Sequence, residues 1–257
     1  MVYKMIDTHC HIDFEEYDDD RESVIKKAQE KLDAVIVSGI SEESNQGVLD
    51  LSEEYKNFIY PSFGYHPVSS QNCSDEELKG AHEHLIKHID DIVAVGEVGM
   101  DFFYVKDKAL RERQKEIFTS FIEIADEYKV PLLMHVRDCE KKAVNIIQDY
   151  NNIPYFIFHC YSGSLKTARR IMDMDNCYMS FSTMLSYSKA HQDLIKEIPL
   201  DYILTETDSP YLAMTKDERN EPANVVNAVL KIAEIKDMEI SEVDSITTAN
   251  AKKVFKI

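Results

Sequence analysis

Met5-Ile6-Asp7-Thr8-His9-Cys10-His11, an apolar start running into two histidines, decides how the rest of the chain is read. It belongs to the first of eight short apolar runs that end in small or polar residues. These are Lys4–His9, Ala34–Gly39, Phe58–Gly64, Ile92–Glu97, Pro131–His135, Tyr155–His159, Cys177–Ser182 and Tyr202–Thr207. The runs are continuous rather than alternating, the pattern of parallel strands covered on both faces. Charged amphipathic stretches lie between them. The longest, Asp107–Tyr128, places Leu110, Ile117, Phe121, Ile124 and Ala125 at core-facing spacing. Ser74 stands three residues before Glu77, the spacing of a helix N-cap.

Eight strand–helix units in 257 residues predict an α/β fold: one (β/α)8 TIM barrel over residues 1–257. The alternative, an open doubly wound sheet, usually has fewer strands. No Pro/Gly/Ser-rich linker divides the chain.

With 44% hydrophobic residues the chain can bury a full core. No apolar run is long enough to span a bilayer, and the first residues lack a secretory signal, so a soluble, cytoplasmic protein without a membrane partner is expected. The five cysteines (Cys10, Cys73, Cys139, Cys160 and Cys177) form no Cys-x-x-Cys pair and read as free thiols. The formal net charge of −18 argues against broad charge-driven binding to nucleic acid. It leaves room for a small polyanion site that carries its own cations. No obligate protein partner is readable.

Catalytic groups of such barrels collect at the C-terminal ends of the strands. Of nine histidines, five stand at the predicted strand ends: His9, His11, His66, His135 and His159. Glu97 follows strand four and Asp208 follows strand eight. His9 and His11 are two apart and so face the same way, whereas Cys10 points into packing. Neutral imidazoles with carboxylates suit zinc or manganese, and magnesium alone less well. His9, His11, Glu97, His135, His159 and Asp208 are therefore candidate ligands for two divalent ions. Glu97, midway in strand order, is the expected bridge where many related barrels use a modified lysine.

Other polar residues have plainer readings. His82, His84 and His88 read as a solvated helix face, although the i,i+4 pair could hold a metal. His191 reads as surface, Asp18-Asp19-Asp20 as a solvated helix start, Arg219 as structural, and Cys10 and Cys160 as core thiols. Tyr161, Phe102 and Phe103 follow strand ends, where they either stack on a base or pack the rim.

Asp7-Thr8-His9-Cys10-His11, Gly64-Tyr65-His66-Pro67, Gly96-Glu97-Val98-Gly99-Met100-Asp101 and Arg113-Gln114 together resemble the motifs of the TatD family of metal-dependent deoxyribonucleases, within the amidohydrolase-like barrels. So do His159-Cys160-Tyr161-Ser162-Gly163, Glu206-Thr207-Asp208-Ser209-Pro210-Tyr211-Leu212 and Arg219-Asn220-Glu221-Pro222. The resemblance implies a (β/α)8 barrel, a divalent metal pair on the same six ligands, and hydrolysis of DNA phosphodiesters, single-stranded or at 3′ ends. It also implies that His66 lies near the substrate phosphate. Many members carry a second histidine two residues later, where this chain has Val68, and a proline where it has Met214.

The expected chemistry follows from the two ions, which bring the pKa of a water to about 7 so that a hydroxide can attack phosphorus. Asp208 is the expected proton acceptor. Arg137 either holds a phosphate oxygen or pairs with Asp138 or another strand-end acid. Two alternatives remain at this level: hydrolysis of a C–N or C–O bond in a small molecule, as in deaminases and lactonases, and a binding barrel without turnover.

Overall fold

The computed structural model describes residues 4–215 and 218–257. Strands and helices alternate along the chain. They run β1 (Met5–Cys10), α1 (Arg21–Gln29), β2 (Leu32–Ser38), α2 (Glu42–Glu54), β3 (Ile59–Phe63), α3 (Pro67–Ser70), α4 (Asp75–Lys87) and β4 (Ala94–Asp101). There follow α5 (Lys108–Tyr128), β5 (Leu132–Arg137), α6 (Glu140–Ile147), β6 (Phe156–Phe158), α7 (Leu165–Met172) and β7 (Cys177–Phe181). The chain closes with α8 (Lys189–Glu197), β8 (Ile203–Thr205), α9 (Val225–Lys236) and α10 (Ile240–Phe255). The eight strands lie in sequence order in one sheet, β1 to β8, which is the strand order of a (β/α)8 barrel.

The chain divides into two compact units. The first comprises the segment up to Val37, Leu51–Tyr60 and Met179 onward. In it β1 pairs in parallel with β2, and β7 with β8. A parallel bridge between Cys10 and Ser209 ties the end of β1 to the segment after β8. Helices α9 and α10 pack against β1 and β8. Ile6, Val35, Ile203, Val229 and Val254 lie in this unit's buried core.

The second unit comprises Ser38–Asp50 and Pro61–Tyr178, with β3 to β6 paired in parallel. Helix α5 begins where Asp107 accepts bonds from the amides of Ala109 and Leu110, and it buries Ile117, Phe121, Ile124 and Ala125. Helix α4 starts at a capping box between Ser74 and Glu77, worth about 1 kcal/mol.

β4 differs most from the sequence expectation. It does not stop at Glu97 but continues to Asp101, with a register shift against β5 between Val95 and Val98. Gly96 (φ 154°) and Gly99 (φ 152°) hold backbone conformations that L side chains rarely adopt. A Cβ on Gly99 would fall 1.9 Å from the carbonyl oxygen of His135. The missing side chain lets β4 close onto β5, and that approach fixes Glu97, Asp101 and His135 relative to one another.

The plainer readings meet two differences. His82, His84 and His88 are not a solvated face: the His84 and His88 rings lie against Phe63, with centroids 5.5 and 6.2 Å away, and His82 lies 4.7 Å from Phe121. Asp18-Asp19-Asp20 is the solvated start of α1, with Asp20 also in a forked ion pair with Arg219 (2.8 and 2.6 Å). Cys160, in a left-handed turn (φ 44°), is only half-buried, whereas Cys10 is fully buried. Five free cysteines and no disulfide are present among the described residues.

Candidate metal centre

Each unit carries its own group of ligand-type side chains. In the first, β1 delivers His9 as a strand residue and His11 just past its end. Their Nε2 atoms stand 3.1 Å apart, the same-face placement that two-residue spacing predicts. Asp208 Oδ1 lies 3.4 Å from His9 Nε2 and 3.7 Å from His11 Nε2. His11 is also stacked on Phe14 at 4.6 Å.

The backbone explains how Asp208 reaches β1. The Asp208 amide donates to His9 O (3.0 Å), and the His11 amide donates to Ser209 O (2.7 Å). Asp208 itself is left-handed (φ 56°), a conformation that aspartate tolerates. Buried Asp7 fastens the same segment: it accepts from Thr207 Oγ1 at 2.5 Å and from the Thr207 amide at 2.9 Å. Burial pushes the Asp7 carboxyl well up from its ordinary range, against those hydrogen bonds. Glu206, the other acid of the motif, is buried and accepts from Ser180 Oγ at 2.5 Å.

In the second unit Glu97 is the hub. Its Oε1 lies 2.7 Å from His135 Nδ1, 3.1 Å from His159 Nε2 and 3.6 Å from His66 Nε2. His135 Nδ1 and His159 Nε2 are 3.2 Å apart. The opposite face of the His135 ring meets Asp101, with Nε2 3.0 Å from Oδ2. Asp101 is held in turn, accepting from the Tyr104 amide through Oδ1 (2.7 Å), while its own amide donates to Gln114 Oε1 (3.0 Å).

Burial disfavours a charged His135, but Asp101 and Glu97 outweigh it and hold the imidazole pKa above its ordinary value. Burial likewise opposes ionisation of Asp101, yet His135 and the Tyr104 amide bring its carboxyl below the usual range. Buried carboxylates this close to imidazole nitrogens draw in positive charge. The donor set His66, Glu97 and His135 fits a divalent cation held by nitrogen and oxygen atoms, and His159 lies against the same carboxylate. Carboxylate support behind a ligating imidazole is a recurrent companion of such sites.

Asp101 was not among the sequence candidates. Glu97, Gly99 and Asp101 alternate along β4 and so share a face, and that parity is the signal that identifies it. The aromatic residues separate clearly. Tyr161 is buried with its hydroxyl on Ser164 O (2.8 Å), and Phe102 is buried, whereas Phe103 is exposed. Arg219 is structural: besides Asp20 it lies over the Tyr17 ring at 4.5 Å.

A (β/α)8 barrel with histidine–carboxylate groups at the C-terminal ends of its strands is an arrangement that metal-dependent barrel hydrolases use. The profile of the family "TatD related DNase" matches residues 6–256. An uncharacterized metal-dependent hydrolase of Bacillus subtilis, YabD, is 38% identical, with 98% of this chain and 99% of that protein aligned. Human deoxyribonuclease TATDN3 is 30% identical, with 98% and 94% aligned. Among solved structures, the TatD homologue YJJV of Escherichia coli superposes with a TM-score of 0.91 at 27% identity, covering all of both chains. The chain belongs to the TatD-related DNase family of metal-dependent hydrolases.

Proposed function

We propose that this protein is a deoxyribonuclease that uses two divalent ions to hydrolyse phosphodiester bonds at 3′ or unpaired DNA ends. The hub at Glu97, where His135, His159 and His66 converge on one carboxylate oxygen, carries the reading. Two similarities support it: the match to the TatD-related DNase profile and the relationship to a human protein named a deoxyribonuclease.

In this reading residues 1–257 act as one domain, and His9, His11, Glu97, His135, His159 and Asp208 would hold the ions. Zinc or manganese suits these donors better than magnesium. Bound there, divalent ions lower the pKa of a water and polarise the phosphate. Asp208 is within reach of both His9 and His11 and takes the proton of the attacking water. Asp101 holds the His135 ring so that Nδ1 faces Glu97. His66 and Arg137 meet the phosphate oxygens.

Arg137 has no ion-pair partner among the described residues, and its guanidinium rests instead on aromatic rings. Its charge also reaches the strand-end acid Asp101, without an ion pair, and its N–H edge suits an anion. No helix among the described residues is long and apolar enough to cross a membrane. Five free thiols suit the cytosol.

The test is metal analysis followed by turnover of end-labelled single- and double-stranded DNA, run beside a panel of lactones and cyclic amides. Release of nucleotides from DNA ends supports the reading. Turnover of the small molecules alone overturns it.

A further inference from the structure

The acidic chain carries a patch of basic and aromatic side chains next to the Glu97 hub. The segment following β4 exposes Phe103 (45%) and Tyr104 (66%), whose rings meet at 5.0 Å. Arg137, two residues beyond His135, stacks its guanidinium 4.1 Å from the Phe103 ring and 5.0 Å from that of Tyr104. Lys106 Nζ lies 5.5 Å from Phe103. Lys142 Nζ lies 5.6 Å from the buried Phe102, which Arg111 also covers at 4.5 Å.

None of these four cations has an acidic partner within ion-pair distance among the described residues. Arg111 donates to the carbonyls of Val105 and Phe102, and Lys106 donates to the carbonyl of Phe102. Those bonds clamp the loop; the carboxylate that the Arg137 charge reaches, Asp101, is itself held by His135 and the Tyr104 amide. In a protein of net charge −18, cations usually find carboxylates; here Arg137 and Lys106 lie over exposed rings, and Lys142 and Arg111 over the buried Phe102 beside them.

The patch is joined to the hub by short connections. The Tyr104 amide donates to Asp101, whose other carboxylate oxygen meets His135 (3.0 Å). The Phe102 amide donates to Arg137 O at 2.8 Å, continuing the β4–β5 pairing beyond Asp101. Exposed rings offer stacking faces that any base can use, and guanidinium and ammonium groups meet phosphates. A flat ring and a phosphate within one ligand, repeated along a chain, is the chemistry of an unpaired nucleic-acid strand.

We propose that Phe103 and Tyr104, with Arg137 and Lys142, form the platform on which the strand lies: the rings stack on a base and the cations hold its flanking phosphates. The inference rests on the nuclease reading but concerns how the strand is held rather than how it is cut.

The experiment is fluorescence anisotropy with the full-length protein in chelating buffer, so that binding is read without turnover. The probes are labelled oligothymidylate and an abasic strand of equal length and charge. The native protein is expected to bind oligothymidylate about 10-fold more tightly than the abasic strand. Phe103→Ala/Tyr104→Ala is expected to bind the two alike. Arg137→Gln/Lys142→Gln is expected to weaken both and to lower the salt slope by about 0.7 for each phosphate that is no longer neutralised.

A native protein without the preference, or an aromatic variant that keeps it, overturns the platform. Turnover separates the two ideas. Native protein that cuts DNA while the variants bind normally sinks the platform alone. Native protein that shows the stacking preference but releases nothing from DNA with metal restored sinks the nuclease reading alone.

Discussion

Asp101 Oδ2 stands 3.0 Å from His135 Nε2, on the side of the ring away from Glu97. This hydrogen bond fixes which nitrogen His135 turns toward the hub. Asp101→Asn keeps the shape and loses the charge behind the imidazole. Metal affinity or activity is expected to fall about 10- to 100-fold, with an unchanged circular dichroism spectrum. Calorimetric titration of zinc into native and variant proteins measures it; equal affinities would remove Asp101 from its positioning role.

Glu97→Ala takes away the carboxylate that His135, His159 and His66 share. Hydrolysis is expected to be abolished while the barrel stays folded, and Asp208→Ala is expected to do the same through loss of the proton acceptor. Activity assays paired with thermal melts check both, and full activity in either variant refutes its role.

Gly99→Ala sets a Cβ 1.9 Å from the His135 carbonyl oxygen at a φ of 152°. Backbone strain and the forced separation of β4 from β5 are expected to cost about 3 kcal/mol or more. Denaturant unfolding measures the change, and a variant as stable as the native protein would show that the close approach is not needed.

Thr207→Val removes the hydroxyl that donates to buried Asp7 while keeping side-chain volume. Leaving that carboxyl short of a donor is expected to cost about 1–3 kcal/mol. Because Thr207 adjoins Asp208, kcat is expected to fall as well. Unfolding curves and kinetics on the same preparation test the pair of effects.

Burial holds the pKa of His82 and of His84 below the ordinary histidine value of 6.5. The unfolded chain therefore takes up these protons first. Stability is full above about pH 6.5 and declines as the pH falls toward the depressed folded values. His82→Gln/His84→Gln is expected to flatten this part of the melting-temperature profile relative to native protein. Parallel profiles would assign the acid loss to other groups.

Much of the fold is legible because parallel strands need continuous apolar runs, and the runs ending at His9 and His135 carry ligand-type residues where the barrel needs them. β4 is less legible. Its glycines interrupt the apolar pattern, so the run reads as ending at Glu97, whereas positive-φ glycines carry it on to Asp101. His84 and His88 follow Ala81 and Leu85 by three residues, which turns them toward the same side of α4. Polarity alone reads them as solvent-facing, and only Phe63 at the end of β3 explains their place. The stacking of Arg137 on Phe103 and Tyr104 joins two different strand ends, a pairing that sequence distance conceals.

The account depends on metal capture by the two histidine–carboxylate groups. Zinc or manganese should be titrated calorimetrically into chelated full-length protein, with DNA turnover followed at each addition. Two equivalents bound per chain, with activity rising to its maximum at the second, is the predicted result. Failure to bind either ion in stoichiometric amount, or hydrolysis of DNA that persists without metal, would contradict it.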